Sequence, residues 1–270
     1  MALKDITLGQ YFPGHTIFHR MDPRTKILLT VGYIAALFLC TNVPAYLLAI
    51  AVLAGAVAVS KVGVKAIVRG MRPVLVIVII TGVLNLFYTP GQEIWRLGFL
   101  RITVEGIWSA VFMILRIMLL ITCTFLLTYT TSPILLTDGL EKLLSPLKAL
   151  HVPVHELAMM MSIALRFIPT LIEETDKIMS AQKARGADFE SGNLVQRARA
   201  LVPLLVPLFI SAFRRADELA VAMECRCYHG GEGRTRLRQL RFQSFDWIAL
   251  VLAVLLIAAV VLLGRLPLFP

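Results

Sequence analysis

The sequence is poor in charge and in cysteine, and both shortages limit what the protein can be. Asp, Glu, Lys and Arg together make up 16% of its 270 residues, against about 25% in soluble proteins. With 58% hydrophobic residues and a mean hydropathy of +0.78, the chain has more apolar surface than a soluble globule can bury, which indicates several membrane spans. Four cysteines in this length exclude a disulfide scaffold, and the hydrophobicity excludes disorder.

Motifs of nucleotide, metal and acyl-transfer chemistry are also missing. The sequence contains no GxxxxGK[ST], no HExxH and no GxSxG, so it has neither a Walker-type nucleotide site nor these hydrolase signatures. Cys225 and Cys227 with His229 fall short of the four ligands of a structural zinc site. Glu173, Glu174 and Asp176 could suggest Mg²⁺, but their helical spacing is more typical of a solvated or salt-bridged helix face. We therefore predict no catalytic residue, no metal site and no cofactor in this chain.

Five segments are free of Asp, Glu, Lys and His, and we predict a membrane span in each: 27–40, 43–59, 73–89, 106–131 and 247–263. The first two form a tight hairpin, because Pro44 would break one continuous helix. Arg116 is the one ionisable residue in a span. A structural role for it, bonded to carbonyl groups, is favoured over substrate binding, although an intramembrane arginine is by default a functional candidate.

The positive charge indicates the orientation of the spans. The first 26 residues contain no signal peptide, and both this tail and the loop after the second span are rich in Lys and Arg, whereas the 90–105 loop is balanced. Since cytoplasmic loops collect positive charge, we expect the N-terminus in the cytosol. Arg24, Lys26 and Lys61 are expected to reach the headgroups.

Residues 132–243 change character, with 15 Lys and Arg and 12 Asp and Glu. This region still has apolar helical stripes, the first over 136–150, the second from Val154 to Ile168 and the third over 201–213. The last two are shorter than about 17 residues and flanked by charge, so we do not take them as spans. The fold predicted is an all-α membrane protein with about five transmembrane helices and long cytosolic helices. We predict three parts: the N-terminal tail with the first four transmembrane helices in 1–131, the cytosolic helices in 132–243, and the last transmembrane helix in 244–270.

Two segments of this region are alike when Arg185 is aligned with Arg226. Each is an apolar helix that becomes charged and ends in an arginine between two small residues, Ala184-Arg185-Gly186 and Cys225-Arg226-Cys227. A cation is favoured at a helix C-terminus, but that does not explain small residues on both sides. Small neighbours let a helix end enter a groove, where arginine can hold a carboxylate with two hydrogen bonds. The pattern predicts two similar partners.

The sequence resembles the transmembrane T component (EcfT) of energy-coupling-factor (ECF) transporters. Three segments carry the resemblance: QYFPGHTIFHRMDPRTKILL at 10–29, RFIPTLIEETDKIMSAQKARGADF at 166–189 and AFRRADELAVAMECRCYHGGEGRTRLRQL at 212–240. The second motif departs from the usual Ala-Arg-Gly, with cysteines on both sides of Arg226.

The resemblance implies an energy-transducing subunit of an importer in a prokaryotic plasma membrane. It would join two cytosolic ABC-type ATPases, which bind ATP and Mg²⁺, to a substrate-binding S component for a vitamin or metal ion. The ATPases would dock on Ala184, Arg185, Gly186, Cys225, Arg226 and Cys227. The apolar residues that we expect to face the S component are Leu140, Leu143, Leu144, Leu147, Met159, Met160 and Met161. No nucleic acid is expected as a partner, and specificity for the transported substrate would lie in another polypeptide.

Two alternatives come from other classes of protein. A channel or secondary transporter would carry the solute itself, but such proteins usually have ionisable groups in the membrane, and carboxylates and histidines are missing from these spans. A membrane enzyme acting on lipid-linked substrates would need a nucleophile or metal motif that the sequence does not contain.

Overall fold

The computed structural model describes residues 11–97, 100–189, 193–230 and 239–264. Nine α-helices and one β-hairpin occupy these residues. The helices are α1 (Ile17–Arg20), α2 (Pro23–Leu39), α3 (Val43–Ser60), α4 (Val64–Tyr88), α5 (Val104–Thr130), α6 (Pro133–Leu144), α7 (Val154–Ala184), α8 (Leu194–Glu224) and α9 (Ser244–Gly264). A 3₁₀ helix, Ser145–Leu150, follows α6, and the antiparallel strands β1 (Glu93–Leu97) and β2 (Leu100–Thr103) lie between α4 and α5.

The chain divides into two compact units, and the all-α membrane class is confirmed. One unit comprises residues 9–142 and 240–270, and the other is built on residues 143–239. The predicted spans lie in α2, α3, α4, α5 and α9. Their bounds agree within a few residues except at the start of α4, which begins at Val64, nine residues before the predicted span 73–89. By length and composition, α3, α4, α5, α7 and α9 could cross a membrane. The remaining predicted span, α2, has only 17 residues.

Helix starts in the first unit follow from capping residues. Asp22 accepts a hydrogen bond from the backbone N–H of Arg24 at 2.9 Å, and Pro23 occupies the first helical position of α2. Thr103 caps α5 in the same way through the N–H of Gly106, at 3.0 Å. α4 packs closely on α5 at Gly82, where a Cβ would come within 2.8 Å of Ile114, as is usual where small residues let membrane helices approach.

Lys26 and Arg24, near the start of α2, are held by other protein groups rather than directed to the headgroups. The prediction for Lys26 is wrong: its side chain is 5% exposed, and Nζ donates to the carbonyl of Thr130 at 2.9 Å and to Thr131 Oγ1 at 3.1 Å. That carbonyl lies in the last turn of α5, where no helical N–H can reach it. Arg24 pairs with Asp22 and donates to the carbonyl of Leu240 at 2.9 Å, so it too is held by protein. Lys61 is exposed, as expected.

Asp246 fixes the start of α9 to the same place. Its side chain is fully buried and accepts hydrogen bonds from the backbone N–H of Asp22, at 3.0 Å, and of Gln243, at 2.8 Å. The N-terminal segment and the last helix are thereby joined across 224 residues of sequence.

The first apolar stripe, at 136–150, does not form one helix. The α-helix ends at Leu144, and the backbone tightens into 3₁₀ geometry up to Leu150, followed by His151 at φ 59°. Pro146 cannot donate the backbone hydrogen bond that an α-helix would need there. The other two stripes lie inside α7 and α8, which are both 31 residues long.

Candidate functional site: two arginine-bearing helix ends

The first arginine motif lies where α7 stops. The helix ends at Ala184, and Gly186 takes φ +87°, a left-handed conformation that suits glycine. Two backbone bonds close the end: Gly186 N–H donates to Lys183 O, and Ala187 N–H donates to Gln182 O, both at 3.0 Å. The latter is the 6→1 bond of a Schellman cap.

The second motif repeats this geometry at the end of α8. Cys227 takes φ +54°, Cys227 N–H donates to Glu224 O at 2.8 Å, and Tyr228 N–H donates to Met223 O at 3.1 Å. The donor and the acceptor of both bonds match those of the first end when the two arginines are aligned. The two helix ends are therefore alike in backbone structure, and Cys227 occupies the position of Gly186. Gly230 also takes a positive φ, +98°, but it lies three residues beyond Cys227, after the helix end has closed.

Both arginines are exposed, as are the small residues on either side of each: Ala184, Gly186, Cys225 and Cys227. In the part of the chain that the structure describes, neither guanidinium has an ion-pair or hydrogen-bond partner. Each helix end therefore offers a planar, positively charged group to a carboxylate on another molecule. Cys225 and Cys227 are free thiols.

α7 and α8 are antiparallel, which separates the two ends. Glu174 forms an ion pair with Arg215 and accepts a hydrogen bond from Ser211 Oγ at 2.6 Å. Nearer the first end, Gln182 donates to Pro203 O at 3.4 Å, a carbonyl left without its helical partner because Pro207 has no N–H. Arg185 thus lies level with about residue 201, roughly 25 residues before Arg226, or roughly 37 Å along the helix.

The ion pair of Glu174 also indicates the role of the acidic residues Glu173, Glu174 and Asp176, which could have suggested a Mg²⁺ site. This carboxylate takes part in packing α7 against α8, as a salt-bridged helix face would. Among the described residues no group of three or more His, Cys, Asp and Glu could hold a metal ion.

The apolar residues predicted to face a membrane partner differ in exposure. Met160 is 57% and Met161 48% exposed, and Leu140 and Leu144 are each 37% exposed. Leu143 and Leu147 are half-buried. Met159 differs, since it turns toward the end of α8 and its sulfur accepts a hydrogen bond from Tyr228 Oη at 3.0 Å.

A second exposed apolar face runs along α8, on the stripe at 201–213 that the sequence indicates without assigning a partner to it. Val202, Val206, Phe209 and Phe213 are 51–69% exposed and recur at helical spacing on one side. Exposed apolar patches of this kind mark surfaces that another protein or a membrane covers. The apolar stripe at 201–213 indicates this face in the sequence. Pro203 and Pro207 within it make the continuous helix α8 hard to predict.

Arg116 has the structural surroundings that the sequence favoured. Its Nε donates to Tyr46 Oη at 3.1 Å, a terminal nitrogen donates to the carbonyl of Cys40 at 3.3 Å, and the guanidinium lies 5.7 Å from the ring of Phe38. Tyr46 is buried and stacked on Phe112. Arg116 thus ties α5 to the turn between α2 and α3.

Comparisons with known proteins cover nearly the whole chain. Residues 14–237 match the family CbiQ, described as cobalt transport protein. The energy-coupling factor transporter transmembrane protein EcfT of Thermosediminibacter oceani is 57% identical over 249 residues, 92% of this chain and 94% of its own. The EcfT proteins of Ruminiclostridium cellulolyticum and of Lactococcus lactis subsp. cremoris are 54% identical over 261 residues and 44% identical over 264 residues. These matches cover 97% of this chain and 98% and 99% of the relatives.

Proposed function

The chain belongs to the EcfT family of energy-coupling factor transporter transmembrane proteins, and from this premise we propose that it couples two cytosolic ATPases to a substrate-binding S component. As the transmembrane component of a transporter it is a multi-pass membrane protein, and a non-catalytic role fits that place. ATP hydrolysis, with its Mg²⁺, would take place in the partner chains.

One observation carries the proposal: two helix ends of the same backbone structure each present an exposed arginine, at opposite ends of an antiparallel helix pair. A separation of roughly 37 Å is too large for one small carboxylate groove to hold both. Each ATPase chain would take one end, Arg185 with Ala184 and Gly186, or Arg226 with Cys225 and Cys227.

The S component would lie against the exposed apolar residues, Leu140 and Leu144 on α6 and Met160 and Met161 on α7. Methionine suits a surface that must accept a partner and release it, because its side chain is flexible and polarizable. The stripe of α8 extends the apolar surface available. The substrate, a vitamin or metal ion, would be bound by the S component and not by this chain.

The chain would lie in the plasma membrane of a prokaryote, with its N-terminus and α6–α8 on the cytosolic side. By length and composition α7 as a whole could cross a membrane, but its apolar half carries Arg166 and lines a groove together with Arg226 and His229. Charged groups in hydrocarbon are costly, which supports a position of this half outside the bilayer core.

Affinity purification from the native membrane followed by native mass spectrometry tests the proposal. We expect one copy of this chain with two ATPase chains and one S component. A complex with one ATPase chain or none would contradict it, and solute transport by the purified chain alone in liposomes would favour a channel or secondary transporter.

A further inference from the structure

A groove of about 730 Å³ lies beside the second helix end, between the first half of α7 and the end of α8. Arg166 and Arg226, which come from different helices, both line it, with His229 and Tyr228 nearby. We propose that this groove binds an acidic segment of one ATPase partner through both guanidiniums, so that Arg166 is a docking residue as well as Arg226. The inference rests on the proposed function and deepens it.

Helix geometry brings the two arginines to one surface. Met159, Ile163 and Arg166 are spaced i, i+4 and i+7 on α7, and Leu219, Met223 and Arg226 have the same spacing at the end of α8. Residues at such spacing share a helix face. The hydrogen bond from Tyr228 Oη to the sulfur of Met159 joins the two faces and holds Arg166 beside the second end.

The charge of the groove selects an acidic ligand. Arg166 and Arg226 are exposed, and among the described residues neither guanidinium forms an ion pair or a hydrogen bond. The described lining includes no carboxylate. Two guanidiniums on one concave surface, without a carboxylate partner among the described residues, attract a segment that carries two carboxylates, and each pair made there adds a charge-assisted hydrogen bond.

A protein segment is favoured over an anionic lipid by the rest of the lining. Met159, Met223 and Tyr228 offer adaptable sulfur and aromatic surface, which suits a folded partner with side chains of its own. The groove also includes the helix end itself, Arg226 with Cys227, which the proposed function assigns to an ATPase.

The test compares three single variants of this chain, each in the full complex: Arg166→Ala, Arg226→Ala and Arg214→Ala. Arg214 is an exposed arginine of α8 outside the groove, so its loss removes the same charge without touching the site. The apparent affinity for the ATPases is measured by titration in detergent at several salt concentrations. We expect Arg166→Ala and Arg226→Ala each to weaken it about tenfold and to flatten its salt dependence, and Arg214→Ala to leave both near wild type.

The double variant Arg166→Ala/Arg226→Ala adds a second readout. If both arginines hold one acidic segment, the double loss should differ from the product of the single losses. A photo-cross-linker at Ser162, which also lines the groove, should attach to an ATPase peptide containing Asp or Glu. Retention of the S component by each variant checks that the chain is folded.

The outcomes separate the inference from the function on which it rests. If Arg226→Ala weakens docking and Arg166→Ala behaves like Arg214→Ala, the inference is overturned and the proposed function stands. If neither Arg185→Ala nor Arg226→Ala affects docking, the proposed function fails with it. If Arg166→Ala keeps its ATPases but loses bound anionic lipid in native mass spectrometry, the groove is a lipid site and the inference is wrong.

Discussion

Cys227 has a left-handed backbone conformation, which costs residues other than glycine about 1–2 kcal/mol. Its φ of +54° matches the position of Gly186, at +87°. The second helix end tolerates cysteine on both sides of Arg226, because the 6→1 and 5→2 backbone hydrogen bonds still close it.

Cys227→Gly should stabilise the second helix end by about 1 kcal/mol or less, since it relieves this strain but adds freedom to the unfolded chain. Amide hydrogen exchange at residues 225–228 should slow. Gly186→Cys is the reciprocal change and should speed exchange at the first end. Faster exchange in Cys227→Gly would show that the cysteine makes a compensating contact.

Asp246 is the other residue whose role could not be read from spacing. One partner, the N–H of Asp22, lies 224 residues away, whereas the other, the N–H of Gln243, is a local partner three residues before Asp246. The same applies to Lys26, which the charge pattern directs to the headgroups and which instead satisfies the end of α5. Long-range pairs of this kind leave no periodic signal in a sequence.

Asp246→Ala should cost about 1–3 kcal/mol, because it leaves the buried N–H of Asp22 and the partly buried N–H of Gln243 without an acceptor. The midpoint of thermal unfolding in detergent should fall accordingly. The same substitution at the exposed Asp217 is the matched control and should change the midpoint little. Equal midpoints for Asp246→Ala and Asp217→Ala would contradict a structural role for the buried carboxylate.

At the scale of elements, long apolar runs predicted α2, α3, α5 and α9 to within a few residues, and the end but not the start of α4. Length and composition alone do not decide which helices are spans, since α7 meets those criteria and the 17-residue α2 does not. The β-hairpin between α4 and α5 was missed, since its short strands offer too few residues for a period to be detected. The likeness of the two helix ends was predicted from the alignment of their arginines. The groove with Arg166 was not, because it depends on how α7 and α8 pair.

The apolar face of α6 and α7 gives an element-scale prediction. Leu144→Glu and Met160→Glu should release the S component and leave the ATPases bound, since a charge buried in an apolar interface is costly. Lys177→Glu, on an exposed position of α7, is the control and should release neither. Co-purification of both partners is the measurement, and loss of the ATPases with the S component retained would show that the surface is misassigned.

At the scale of the α7–α8 pair, the antiparallel arrangement fixes the separation of the docking ends. Spin labels are placed on Cys227 and on Ala184→Cys, with Cys40, Cys123 and Cys225 replaced by serine. Pulsed electron paramagnetic resonance should then give a distance of roughly 40 Å between the two labels, allowing for the length of their linkers. A separation below about 20 Å would mean that the helices do not pair as described, and that both arginines could reach one site.

In the whole transporter, the central claim is that the two arginines connect this chain to its ATPases. Both arginines are exposed, so removing one should cost less than the roughly 3–5 kcal/mol of a fully desolvated charge pair. We expect Arg185→Ala and Arg226→Ala each to weaken docking about tenfold. Arg→Lys should rescue poorly, because lysine cannot form the planar pair.

The most direct test is ATPase co-purification beside solute uptake in cells for the double variant Arg185→Ala/Arg226→Ala. Both should be abolished while the membrane helices remain folded, as shown by wild-type amounts of the chain in the membrane. If the double variant keeps its ATPases and transports normally, Arg185 and Arg226 are ordinary helix-end cations and the coupling role assigned to them is wrong.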